Sequence, residues 1–538
     1  MIFALAALFL LAPLHAGTAS KTLLFVDEHD ILYRSGTMRR LHPLTKYEGN
    51  PVVYPEHKWD NWCGWVSVVR HPETGKFQMW YQGYSGKSNT DKRLKSVVCY
   101  AESDDGLKWV KPKLNLFPYY ETKETNIVLI GAPEGYGDRY CNSVLYDARD
   151  PDPARRYKMV YYDWVSDPGE KGLAGTHVAF SPDGIHWTKY AGNPVLPTLF
   201  GGKLNPVPYA DESVYVEEPS SKGIRRSWRY QNSLSDALDV IYDPMRQCYA
   251  VYGKMWINGP DGTLGWKHAM GRSESKDFLH WSEPELLLTT NDNDPPYIEF
   301  HTSPVFILHD MYLCINQLWH RKEGSIGTEF MSSRDGEVWD RTFANQPMIA
   351  HGKGKVFDAG SLFTNANPIT VGDEVWFYYA AHRGIVASTP DPGTKPQPDF
   401  RSGIGMAKTK RDRFIGILPD PGAVMRISGP PKAGTEPAAP AEPNTIGQVT
   451  LRPLDLTGVR ELTVNADAAK GAVRVEILSE DGYRLKGFTK EDAVPLSGNE
   501  LTMKAAWKAK NLGDLPSGKY LVRFHLDNAE LFACTLNL

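Results

Sequence analysis

One unit recurs five times along the chain, and no other feature limits the possible folds so strongly. Its first two strands read WVSVV-RHPETGK-FQMWYQG over 65–83 and NSVLY-DARDPDPARR-YKMVYYDW over 142–164. The pair returns as DVIY-DPMRQ-CYAVYGKMW (239–256), SPVFIL-HD-MYLCINQLW (303–319) and NPIT-VGD-EVWFYYAAHR (367–383). Four copies continue into a Ser-x-Asp-Gly-x-x-Trp hairpin, at Ser103–Trp109, Ser181–Trp187, Ser275–Trp281 and Ser333–Trp339, the third with Phe278 in place of Gly. The fifth copy ends differently, in GIGMAKTKRDRFIGIL (403–418).

Each part of the unit has a mechanical reason. The Asp-Gly step turns one strand back on the next, and the Trp that follows covers the joint with a neighbouring repeat. Strands such as Phe77–Tyr81 are almost continuously apolar, as in sheets buried on both faces. One four-stranded sheet cannot bury both faces, whereas five stacked radially do so and limit free edges. The expectation is an all-β chain: a five-bladed β-propeller over 22–428, a Pro/Ala-rich linker at 429–445, and a C-terminal β-sandwich at 446–538. Helical solenoids are excluded by the missing 3.6-residue period and by the frequent Gly and Pro.

The first nineteen residues carry an apolar run from Ile2 to Ala12, followed by small residues, and predict a signal peptide and an exported protein. No later stretch is long enough to span a membrane. A net charge of -4 gives no basic surface for nucleic acid or anionic lipid. The six cysteines have no metal-ligand spacing, so neither metal nor cofactor is expected, and buried free thiols are the simpler reading.

Propeller topology fixes where chemistry sits. The inner strand starts on one face, and the second strand returns to it. The residues flanking those points therefore converge there, while the Asp residues of the hairpins lie opposite and serve the turns. Three acids stand out at converging positions: Asp60, Asp236 and Glu299. Two of them flanking a scissile bond would act as nucleophile or base and as general acid. Aromatic neighbours of Asp60 and Glu299 are expected to raise a carboxyl pKa by desolvation. Trp62, Arg139, Trp164, Lys254, Trp256, His301, Trp319, His320, Arg321, His382 and Arg383 complete the set. Indole faces suit sugar rings, and the cations suit hydroxyl or anionic substituents.

The leader, the five units, the closing Gly403–Ala407…Arg411–Phe414 segment and the trailing sandwich resemble the five-bladed propeller glycoside hydrolases of families 32 and 43 and their relatives. In particular they resemble the exported family-32-like proteins of Planctomycetes-type bacteria. The resemblance implies an Asp at the start of blade one, matched by Asp60, a second Asp matched by Asp236, and a general-acid Glu matched by Glu299. The family-32 signature Trp-Met-Asn-Asp-Pro-Asn-Gly is absent, and Arg149-Asp150-Pro151 falls in a turn on the opposite face. Fructan hydrolysis is therefore not implied. The expected activity is hydrolysis of poly- or oligosaccharides by metal-free carboxylates. A non-catalytic glycan-binding propeller is the rival reading, and a protein-interaction propeller a third.

Overall fold

A computed structural model describes residues 20–85, 94–131, 138–164, 175–198, 215–220, 223–228, 232–257, 267–384, 401–423 and 445–538. The leader at 1–19 and nearly all of the linker at 429–445 lie outside these residues. The described chain is all-β, with only short 3-10 turns, and divides into two compact units.

The larger unit, Leu41–Arg411, is a succession of antiparallel sheets. The first runs Trp62–Arg70, Phe77–Tyr84, Ser96–Ser103, Ile127–Leu129. The second is built on Asp138–Tyr146, Tyr157–Trp164 and Gly175–Ser181, and the third on Leu234–Asp243, Cys248–Ile257, Lys267–Ser275 and Glu285–Leu288. Two further strand groups, around Met311–His320 and around Glu374–His382, are joined through the single parallel pair Ile326 and Ser361. Inner strands of successive sheets are bonded to each other. Val144 N donates to Ser67 Oγ at 3.0 Å, and Val240 N to Ser143 Oγ at 3.0 Å.

The repeated hairpins show why their residues recur. Ser103 Oγ accepts from Gly106 N, while Asp105 Oδ1 accepts from Leu107 N and Lys108 N, each at 2.8 Å. The same bonds form at Asp183, Asp277 and Asp335, so these carboxylates hold turns. The fourth position takes φ of 75° at Gly106, 80° at Gly184 and 77° at Gly336, which favours glycine. Phe278 adopts 71° at the same place. It is fully buried, against Phe180 of the second sheet and Tyr249 of its own.

Each Gly hairpin docks on the sheet before it. Gly184 O accepts from Trp80 Nε1 at 2.6 Å, and Gly336 O from Tyr252 OH at 3.2 Å. The first hairpin docks on the last strand group, where Tyr378 OH donates to Gly106 O at 2.8 Å. The unit's first strand, Thr45–Lys46, pairs with Ser402–Lys410, its last. The succession of sheets thus closes on itself.

The smaller unit contains the described strands of 20–40 together with Asp412–Leu538. Its sheet runs Ile31–Ser35, Ile446–Leu451, Lys519–Asp527, Glu461–Ser479, Glu530–Asn537, Ile415–Pro419. The long strand Glu461–Ser479 pairs with Glu530–Asn537 through its first half and with Lys519–Asp527 through its second, bending between Ala468 and Val473. Apolar side chains from both halves, among them Leu462, Val475 and Phe524, share one core.

This division groups the described strands before 41 and after 411 together, rather than dividing at 22 and 428. Ser20–Leu24 pairs along its whole length with Glu530–Asn537, and Ile415–Pro419 also joins that strand. Five of the cysteines, Cys63, Cys99, Cys248, Cys314 and Cys534, are buried free thiols.

Candidate functional site

The site is built on the third sheet of the larger unit. The ladder pairs Leu234 with Met255 and Leu238 with Gly253, so four steps along one strand face two on the other. This bulge lifts Ser235–Ala237 out of the ladder and re-aims Asp236. Gly253 permits it, since a Cβ there would lie 3.0 Å from Ala237 O. Asp236 keeps 37% of its side-chain surface and binds Lys254 Nζ at 2.5 Å. Burial alone would raise its pKa. Lys254, by charge and hydrogen bond, overrides this with help from His301 and His268 and holds the carboxyl at about 2.

Glu299 and His268 form the neighbouring group. Glu299 Oε2 accepts from His268 Nδ1 at 2.6 Å and from the His268 backbone N at 3.2 Å. Its other oxygen meets Arg321 Nε at 2.8 Å. Burial pushes this carboxyl up, but the bonds and charges of His268 and Arg321 bring it below the ordinary glutamate value. Burial also holds His268 below the usual imidazole range, against the pull of Glu299. Both carboxylates are therefore ionised at neutral pH. The desolvated, proton-storing Glu299 expected from the sequence is not what the surroundings produce, because His268 from another strand and Arg321 from a turn both reach it.

Aromatic rings wall this cluster. The Trp256 ring lies 3.7 Å from that of His268, Trp319 lies 5.4 Å from it, and the Arg321 guanidinium sits 5.1 Å above Trp319. Trp65 stacks on His301 at 5.6 Å and meets Phe363 at 4.6 Å. Phe363 in turn contacts Trp62 and His382. His301 Nδ1 donates to Gln317 Oε1 at 3.1 Å, and burial pushes the imidazole pKa well down. His382 falls to about 4 for the same reason.

The expected residues thus separate. Asp236, Lys254, Trp256, Glu299, His301, Trp319 and Arg321 belong to one neighbourhood, with Trp62 and His382 reached through Phe363. Asp60 does not join it. It is fully buried, accepts from Glu56 N, His57 N and Tyr81 OH, and pairs with Lys111 Nζ at 2.7 Å. With its lone pairs so engaged, it braces the turn before Trp62 rather than facing a ligand. Burial lowers the pKa of His320, against the pull of Glu323 and Glu329. Arg383 donates to Lys355 O at 2.8 Å. The side chains of Arg139 and Trp164 lie outside the described residues.

Two members were missed. Trp65 occupies a bulge in the first sheet, between the pairs Gly64–Gln82 and Val66–Tyr81, with φ of 33°. His268 lies on a third strand, away from the positions flanking the first two. Among the described residues no three His, Cys, Asp or Glu side chains are grouped to hold a metal ion.

No family model matches the chain, and no curated protein matches it. Solved structures do. An N-acetylgalactosamine deacetylase from F. plautii, in complex with blood group B trisaccharide, is 16% identical, with 70% of this chain and 96% of that one covered and a TM-score of 0.44. A glycosyl hydrolase from Bacteroides ovatus gives 14% identity, 70% and 95% coverage and a TM-score of 0.41. A structure from the GH130 family of mannoside phosphorylases, which contains glycoside hydrolases that target β-1,2 mannosidic linkages in Candida mannan, gives 14%, 69% and 95%, and 0.41. These are carbohydrate-active proteins, and likeness at these scores assigns neither family nor reaction.

Proposed function

We propose that the chain is an exported glycosidase that cleaves poly- or oligosaccharides on the axial face of a five-bladed propeller, with Asp236 as its working carboxylate. One observation carries this reading. Asp236 is an ionised carboxylate that solvent reaches, thrown out of its strand by a bulge in the neighbourhood of Lys254 and the indoles of Trp256 and Trp319. An ionised carboxylate suits a nucleophile or base, and indoles suit sugar rings. Glu299 serves as an acid only where a ligand displaces Arg321 or His268 from it, since both hold it ionised. The strands of 446–538, joined by 20–41, are read as an accessory β-sandwich. The apolar leader supports export.

Release of reducing ends from a glycan panel tests the reading, with wild type compared to Asp236→Asn. Wild type is expected to turn over at least one glycan, and the variant to lose about 100-fold or more. The second reading, a non-catalytic glycan-binding propeller, is favoured by the pairing of each carboxylate with its own cation. Binding without turnover in wild type would select it.

A further inference from the structure

His268 has a hydrogen-bonding capacity that no described residue uses. The residue lies on Lys267–Ser275 and is 2% exposed. Its Nδ1 lies 2.6 Å from Glu299 Oε2, and Arg321 fixes the other carboxylate oxygen at 2.8 Å. An ionised carboxylate only accepts, so Nδ1 carries the hydrogen. Burial and the neighbouring Lys254 ammonium favour the neutral ring, against Glu299 and Asp236, so Nε2 is left with a lone pair. Among the described residues neither that buried Nε2 nor the buried Nε1 of Trp256, whose ring lies 3.7 Å from the imidazole, has a partner. An unused acceptor and an unused donor on adjacent rings match a hydroxyl, which is both donor and acceptor. The large majority of buried side-chain polar atoms in native proteins have a partner, so two unused ones on touching rings ask for a ligand.

We propose that His268 Nε2 is the acceptor for a hydroxyl of the bound carbohydrate, with Trp256 Nε1 as the complementary donor and Glu299 as the positioning residue that fixes the tautomer. This rests on the reading of the site as a carbohydrate site. It gives Glu299 a task that needs no proton of its own. It also makes the sugar ring lie against Trp256 and Trp319, the rings that flank the imidazole.

The test uses the full chain labelled with 15N-histidine, and methyl glycosides of glucose, galactose, mannose, xylose, arabinose and fructose as probes. Binding is followed by calorimetry and by long-range 15N–1H spectra. At pH 7, one histidine absent from His268→Gln should show a protonated Nδ1 and a bare Nε2. A binding glycoside should shift that Nε2, and its affinity should fall at least tenfold in His268→Gln. Glu299→Gln keeps the shape, but its amide donates to Nδ1 and should move the hydrogen to Nε2, again with at least tenfold weaker binding. Melting curves check that both variants fold. A protonated Nε2 in wild type, or a glycoside that binds without moving this resonance, overturns the inference while leaving the carbohydrate reading intact. Absence of binding by every probe overturns both.

Discussion

Asp60 and Asp236 are the same side chain set to different tasks by their neighbours. Asp60 spends its oxygens on two backbone N–H groups, Tyr81 and Lys111. Asp236 accepts from Ser235 Oγ at 3.2 Å and pairs with Lys254, and 37% of its side-chain surface stays exposed. Replacing Asp60 with Asn keeps the shape but removes the buried one of the two carboxylates on the Lys111 ammonium, which is 6% exposed and keeps Glu56 at 3.0 Å and Tyr54 O at 2.6 Å. Breaking a buried ion pair outright costs about 3–5 kcal/mol, and the retained Glu56 and Tyr54 contacts make that an upper bound. Asp60→Asn should therefore lower the denaturant midpoint, while its folded fraction keeps the wild-type glycan affinity. Titration below the unfolding transition checks this. The sequence shows Asp60 just ahead of a strand, but not Lys111, whose approach comes from tertiary folding. For the same reason Asp236 was legible as a residue at a converging position, whereas the dominance of Lys254 over burial was not.

At the level of strands and turns, local chemistry was readable and register was not. The Ser-x-Asp-Gly hairpins could be identified because Ser Oγ and Asp Oδ1 bond backbone within three residues. The bulges at Trp65 and Asp236 depend on which residue lies opposite, and that pairing leaves no mark in one strand's composition. Phe278 puts the two kinds of information in competition. Its φ of 71° strains a residue with a Cβ by roughly 1–2 kcal/mol. Losing a buried Phe costs about 3–5 kcal/mol. Phe278→Gly should therefore destabilise the chain by about 2 kcal/mol, even though it restores the repeat consensus. Urea melts of the two proteins give the difference directly.

Across the whole molecule, the recurrence of the unit made the succession of sheets legible, since every copy repeats the same strand order. What joins distant parts was less so. Asp239, on an inner strand of the third sheet, accepts from Ala366 N of a distant segment at 3.3 Å. Burial raises its carboxyl to about 7, against the bonds from Ala366 and Ser143. A carboxyl raised on folding binds its proton more tightly in the native state, so stability falls as pH rises from about 4 to about 7 and is then flat. Asp239→Asn removes this slope, and above pH 7 the variant should be the more stable, by at most about 4 kcal/mol. Melting temperatures at pH 5, 6, 7 and 8 read it. The N-terminal strands escaped the sequence reading because nothing in Ser20–Leu24 names its partner, Glu530–Asn537. That pairing sets a timetable for biosynthesis. The earliest described strand to leave the ribosome must wait for the last, and the larger unit can complete itself in the interval. Until then its hydrogen-bonding edge is an open template for other strands, and a chaperone that covers it guards the chain against mispairing.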